Sequence, residues 1–213
     1  MPSTYPFRGV DADDAVPYGE NTMKQTPLTL HRFTRVEFDH LVDLGVFHGE
    51  PVELIGGLLV VAEPQGSYHA SAVGAVGDAL RAILPAGWLV RVQMPVALDD
   101  QSEPEPDVAV VRGAWADYRG DHPRWPALLV EVAETSLAFD RGEKASLYAR
   151  GGVRDYWIVN LVDRMLEVFR DPEQDATALY GWRYRTTEKV GPSGQASLLA
   201  LPSVRVRVGN LLV

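Results

Sequence analysis

Pro104-Glu105-Pro106-Asp107-Val108-Ala109-Val110-Val111 and Leu128-Leu129-Val130-Glu131-Val132-Ala133 are apolar runs that each carry a carboxylate where a core strand wants hydrocarbon. Short runs of this kind, rich in Val and Leu and bounded by turn residues, read as buried strands. Asp107 opens one strand and Glu131 interrupts the other. A third acid, Glu53, stands beside Leu54 and Ile55 at the start of the run Val52 to Ala62. An ionised carboxylate inside a sheet is costly unless it is paired or bound to a metal. Three together repel one another and raise each other's pKa values. A hard divalent cation, Mg²⁺ with Mn²⁺ as substitute, relieves both costs because such ions prefer oxygen ligands. For any one acid taken singly, an edge strand facing water is the alternative.

The flanking sequence supplies the rest of an α/β (α+β) architecture. Thr34 with Glu37 three residues on forms a capping box, and the apolar spacing that follows predicts a helix over 35–45 ending at Gly45. Val52 to Ala62 reads as a hairpin turning at Gly56-Gly57. Ala72, Val73, Val76, Leu80 and Leu84 give an amphipathic helix over 67–84, closed by Pro85. Strands are expected over 88–98, 106–111 and 127–133. Asp140 and Glu143 look like a second capping box, with Gly151-Gly152 as the helix stop. Strands over Asp155–Asn160 and Met165–Arg170 flank the turn Leu161-Val162-Asp163. The tail from Tyr180 to Val208 reads as further strand, broken at Gly191-Pro192-Ser193-Gly194. This order predicts a mixed sheet with helices on at least one face.

Residues 1–27, rich in Pro, Gly, Asp and Thr, read as a flexible leader, and 28–213 as one domain. The 213 residues are 46% hydrophobic and 23% charged, the composition of a soluble globular chain. The absence of cysteine excludes disulfides, thiolate nucleophiles and Cys-based metal sites. Met1 to Val16 lacks the pattern of a signal peptide, and no apolar run is long enough for a membrane span, so a cytoplasmic, non-membrane protein is expected. The net charge of -9 argues against a surface that attracts nucleic acid everywhere, but not against a local basic groove.

Taken in order, Pro104 to Val111, Leu128 to Ala133, Asp140-Arg141-Gly142-Glu143-Lys144, Leu147-Tyr148-Ala149-Arg150 and Tyr156-Trp157-Ile158-Val159 resemble the Uma-two family. Its members are restriction-endonuclease-like proteins of the PD-(D/E)XK nuclease superfamily. Glu53-Leu54-Ile55 with Gly57, and His69, fit the same pattern, and the resemblance spans roughly residues 33–170. It implies a restriction-endonuclease-like core, a mixed sheet flanked by helices, with Mg²⁺ held by acids on adjacent strands. Carried over by motif, Asp107 is the Asp of the PD element, Glu131 the first residue of E-x-K, and Glu53 the acid near the first helix and strand. The superfamily's lysine position holds Ala133 here, so the resemblance points to Lys144 on the following helix. The implied activity is Mg²⁺-dependent hydrolysis of DNA by a homodimer. Asp107, Glu131, Glu53 and the Val132 carbonyl would serve the metal, and Lys144 would orient water or stabilise the transition state.

Other residues carry weaker signals. His69 could contact a phosphate or a neighbouring carboxylate, or simply sit at a helix start. Glu134 could add an acid to the site or face solvent. Arg183 and Arg185, with Arg205 and Arg207, alternate along strands and would form a basic surface if both pairs share a face. The histidines at 31, 40, 48, 69 and 122 lack zinc-hydrolase spacing. No phosphate loop, dinucleotide fingerprint or nucleophile elbow is present. Two further readings stay open: an inactive DNA- or protein-binding module on the nuclease scaffold, and a two-carboxylate hydrolase acting on glycosides.

Overall fold

Thr34 caps the first helix as its spacing predicts. Its hydroxyl accepts from the Glu37 amide at 3.3 Å, and the Glu37 carboxylate accepts from the Thr34 amide at 2.8 Å. In the computed structural model, which describes residues 29–62 and 65–213, this helix, α1, is Arg35–Asp43. It ends two residues earlier than expected, and Gly45 at φ +67° takes the turn that follows. The leader expected over residues 1–27 lies outside the described residues.

β1 (Val52–Ile55) and β2 (Leu58–Val61) form the expected antiparallel hairpin. Gly56 and Gly57, at φ +56° and +81°, occupy its two central turn positions, where a tight hairpin needs positive φ. α2 is Ser67–Ile83. There follow β3 (Trp88–Val92), β4 (Val108–Arg112), β5 (Leu128–Ala133), β6 (Asp155–Asn160), β7 (Met165–Gln174) and β8 (Trp182–Val190), in that order across one six-stranded sheet. Only β5 and β6 run parallel; the other pairs are antiparallel, so the sheet is mixed. A helical segment joins β5 to β6, as a parallel crossover requires. β9 (Gln195–Leu198) and β10 (Leu201–Arg207) form a separate two-stranded sheet.

The period of two along each strand splits the core into two layers. On one face Val108, Val110, Val130, Val132, Trp157 and Val159 pack against Ala72, Val76 and Leu80 of α2 and against Leu198, Val206 and Leu211 near the C-terminus. On the other, Ala109, Leu129, Ala133, Tyr156, Ile158 and Phe169 pack against Ala145, Leu147, Tyr148 and Ala149. Asp155 fastens the small sheet to the large one. Fully buried, it accepts from the Trp157 indole at 2.9 Å, from Arg170 Nε at 2.8 Å and from the Leu199 amide at 2.8 Å.

Several expected boundaries shift for identifiable reasons. The strand expected over 88–98 stops at Val92, because Gln93 turns to φ +49°. The helix expected to begin at Asp140 begins at Leu137, so Asp140 is not its cap. α3 (Leu137–Phe139) leads into a π-helical turn, Asp140–Lys144, and then α4 (Ala145–Arg150). Asp140 is buried inside this segment and accepts from the Ser136 hydroxyl at 2.6 Å. β7 runs four residues beyond the expected Arg170. The two arginine pairs do not share a sheet, since Arg183 and Arg185 lie on β8 and Arg205 and Arg207 on β10. Arg183 is engaged by Glu173 and Asp175, and Arg185 by Asp171, so the β8 pair is neutralised locally. Among the described residues no helix is long and apolar enough to cross a membrane.

Candidate active site

The register of β4 on β5 brings the first two acids together. Val108 pairs with Val130, so the next step along each strand places Asp107 opposite Glu131, just past the last rung of the ladder. With no strand pairing to satisfy it there, the Val132 amide donates to Asp107 Oδ2 at 2.8 Å. A strand residue's N–H and C=O point to the same neighbour, so the Val132 carbonyl faces that edge too. Glu131 shares the face of Leu129 and Ala133, toward the segment 137–150.

That segment supplies the cation. The π turn widens the helix by one residue, and both of its ends, Asp140 and Lys144, are buried. Lys144 Nζ donates to Glu131 Oε1 at 3.0 Å, and the Tyr148 hydroxyl donates to the same oxygen. Tyr148 lies four residues after Lys144, which carries it to the same helix face. Burial holds its hydroxyl well above the ordinary phenol range, so it stays a donor.

Burial also dominates the acids. It pushes the Glu131 carboxyl up to about 8, with Asp107 and Asp140 adding repulsion against the pull of Lys144. Burial raises Asp140 as well, only partly offset by Lys144 and Ser136. For Lys144, burial works against the charged form, but Glu131, Glu53, Asp140 and Asp107 outweigh it and hold the ammonium above its usual range. One buried ammonium therefore faces three buried carboxyls, and a bound divalent cation would favour the ionised forms that burial and mutual repulsion disfavour.

His69, in the first turn of α2, places Nε2 3.4 Å from Asp107 Oδ1. Its contact with Asp107 raises the imidazole pKa, against the effect of burial. The Gln93 side-chain amide reaches the same Oδ1 at 3.4 Å. Glu53 lies close enough to act on Lys144, but its Oε2 accepts from the Glu105 amide at 3.1 Å. Glu134 is exposed. Among the described residues no three His, Asp or Glu side chains form a ready ligand group. The oxygens on hand for a hard cation are those of Asp107 and Glu131, with the Val132 carbonyl beside them. This donor chemistry fits Mg²⁺ or Mn²⁺ with water completing the shell.

Asp140, Tyr148 and Gln93 were not legible as site residues. Asp140 carried a helix-cap signature and Gln93 sat within an expected strand. Only Tyr148 had a usable signal, its four-residue spacing from Lys144.

Residues 36–209 match the family model Uma2, described as "Putative restriction endonuclease". A solved structure described as "a putative nuclease belonging to DUF820 from Anabaena variabilis ATCC 29413" has the same fold. Its TM-score is 0.58 at 16% identity, covering 84% of this chain and 97% of that one. No curated protein matches the sequence. The matched region takes in all but the C-terminal end of the two core layers and every residue of the carboxylate–lysine cluster, and the chain belongs to the Uma2 family of restriction-endonuclease-like proteins.

Proposed function

We propose that this protein is a divalent-metal-dependent endonuclease that hydrolyses DNA phosphodiester bonds at the cluster of Asp107, Glu131 and Lys144. Family membership supports a nuclease function. The observation that carries the finer reading is the pairing of Asp107 and Glu131 across the end of the β4–β5 ladder, with Lys144 bonded to Glu131 at 3.0 Å. This is a PD-(D/E)XK-type arrangement with the lysine supplied by the helix instead of the strand.

Asp107 and Glu131, with the Val132 carbonyl, would hold Mg²⁺, and Mn²⁺ would substitute. Bound there, the ion supplies Lewis-acid charge that favours water as nucleophile and offsets charge at phosphorus. Asp107 is fixed for this by the Val132 amide on Oδ2, which leaves Oδ1 turned toward Gln93 and His69. Lys144 acts as a cation and not as a base. Its ammonium is held protonated by the surrounding acids, so it cannot accept a proton from the attacking water. It can donate hydrogen bonds to that water or to the phosphoryl oxygens as charge builds on them. Glu53, whose Oε2 is held by the Glu105 amide, acts on Lys144 by charge and stands as the third acid that would serve the metal. The oxygen of water bonds to phosphorus as the P–O bond to the leaving sugar breaks; the attacking water gives up one proton to solvent and the leaving oxygen takes one from it. A homodimer, in which two such sites address two strands, accords with this reading.

The test is nicking of supercoiled plasmid in Mg²⁺ or Mn²⁺ by wild type, Asp107→Ala and Lys144→Ala. Cleavage by wild type alone is expected; cleavage undiminished in both variants contradicts the assignment.

A further inference from the structure

Gln93, an exposed neighbour of Asp107, adopts a backbone conformation that its residue type disfavours. Its φ is +49°, in the left-handed region where Gly and Asn are at ease and a long side chain is strained. Of the four described non-glycine residues with positive φ, it alone touches the carboxylates. Two bonds hold it there. Its backbone amide donates to the Asp107 carbonyl at 3.1 Å, extending the β3–β4 ladder one step beyond Val92–Val108. Its side-chain amide donates to Asp107 Oδ1 at 3.4 Å. Strain of this kind persists where the surrounding structure fixes it, and it concentrates at functional sites.

The second observation is the contrast in exposure. Asp107, Glu131 and Lys144 are recessed, at 6%, 3% and 8% exposure, whereas Gln93 is exposed. An exposed residue bonded to a recessed carboxylate is open to solvent, so the Gln93 amide would be available to a phosphodiester that reaches Asp107. A neutral donor can join carboxylate and phosphate without adding repulsion, and a primary amide offers two N–H groups, one for each. Glycine or asparagine would suit the backbone but would not span that distance.

We infer that Gln93 is a substrate-positioning residue, whose side-chain amide bridges Asp107 and a non-bridging oxygen of the scissile phosphodiester. This rests on the nuclease reading above. Three variants separate contact from strain. Gln93→Gly removes the side chain and relieves the left-handed backbone; Gln93→Ala removes the side chain and keeps the strain; Gln93→Asn suits the backbone but falls short of the phosphate. Plasmid cleavage at saturating and limiting DNA, Mn²⁺ titration calorimetry and thermal unfolding would be measured for each. All three variants are expected to lose about tenfold or more in kcat/KM, because a phosphate held by one hydrogen bond fewer is displaced from the attack geometry. Mn²⁺ affinity should stay within about twofold of wild type, and Gln93→Gly should unfold at a higher temperature than Gln93→Ala. Cleavage by the variants within about twofold of an active wild type overturns the assignment and leaves the nuclease reading intact. Loss of Mn²⁺ affinity in proportion to lost cleavage also overturns it, since Gln93 would then act only through Asp107. A wild type that binds Mn²⁺ but leaves DNA uncut overturns the nuclease reading, and this assignment with it.

Discussion

Lys144 and Glu131 meet at 3.0 Å although they stand thirteen positions apart and on different secondary structure. The strand aims the carboxylate into the helical layer, and the π turn brings the ammonium back over the strand. Removing Lys144 leaves a buried carboxyl without its cation. Breaking a buried pair costs about 3–5 kcal/mol in general. Glu131 already sits at about 8, so it can protonate and limit the loss. Lys144→Ala is expected to lower stability by roughly 2–3 kcal/mol in urea denaturation at neutral pH. Cleavage should fall by about 100-fold or more, the scale set by loss of one preorganised electrostatic donor.

Tyr148 offers a milder perturbation of the same oxygen. Tyr148→Phe keeps the ring packed on Tyr156 and deletes only the donor to Glu131. The expected cost is about 1–3 kcal/mol, that of leaving a buried polar group short of a hydrogen bond. Activity should persist at a reduced level, which plasmid nicking would read.

Asp155 tests the architecture rather than the chemistry. Its carboxylate satisfies an indole, a guanidinium and a backbone amide at once. Asp155→Ala strands all three donors and is expected to cost about 3–5 kcal/mol. Hydrogen exchange should quicken first in β9 and β10, because that carboxylate ties them to the large sheet.

Glu167 sets a pH dependence with a definite sign. Burial alone would raise its carboxyl, but hydrogen bonds from Arg141 and Asn160 outweigh that and hold it below the usual 4.5. The native state then binds fewer protons than the unfolded chain across that window. The stabilisation is therefore complete above the unfolded value and lost as pH falls through the native one. Arg141 is partly exposed, which discounts the pair, so Glu167→Gln should cost about 1–2 kcal/mol near neutral pH. Urea midpoints of variant and wild type should converge as pH falls through the lowered native value; a constant gap would contradict the assignment.

The sheet was legible because its signal is local. Val108 to Val111, Leu128 to Ala133 and Tyr156 to Val159 are buried on both faces and need nothing but hydrocarbon, so their runs stand out in sequence. Asp107 and Glu131 were legible for the opposite reason, as charges misplaced in those runs. Lys144 required the family resemblance, since nothing local tells a helix lysine that it will be buried. Asp140 was misread because Asp-x-x-Glu before an apolar run has the form of a cap. Only the crossover from β5, which starts the helix at Leu137, turns that aspartate inward. Gln93 was hidden in an expected strand because its left-handed backbone is set by the tertiary bond to Asp107. The basic surface imagined for four arginines failed on topology, since period-two alternation fixes faces within a sheet and not between sheets.

The central claim is that Asp107 and Glu131 together hold a divalent cation beside Lys144. A crystal soaked in Mn²⁺ and measured at the manganese edge tests it most directly. The account predicts an anomalous peak between the two carboxylates, about 2.0–2.6 Å from an oxygen of each, absent in Asp107→Asn. A clean map at that position with Mn²⁺ bound elsewhere, or an undiminished peak in Asp107→Asn, would contradict it.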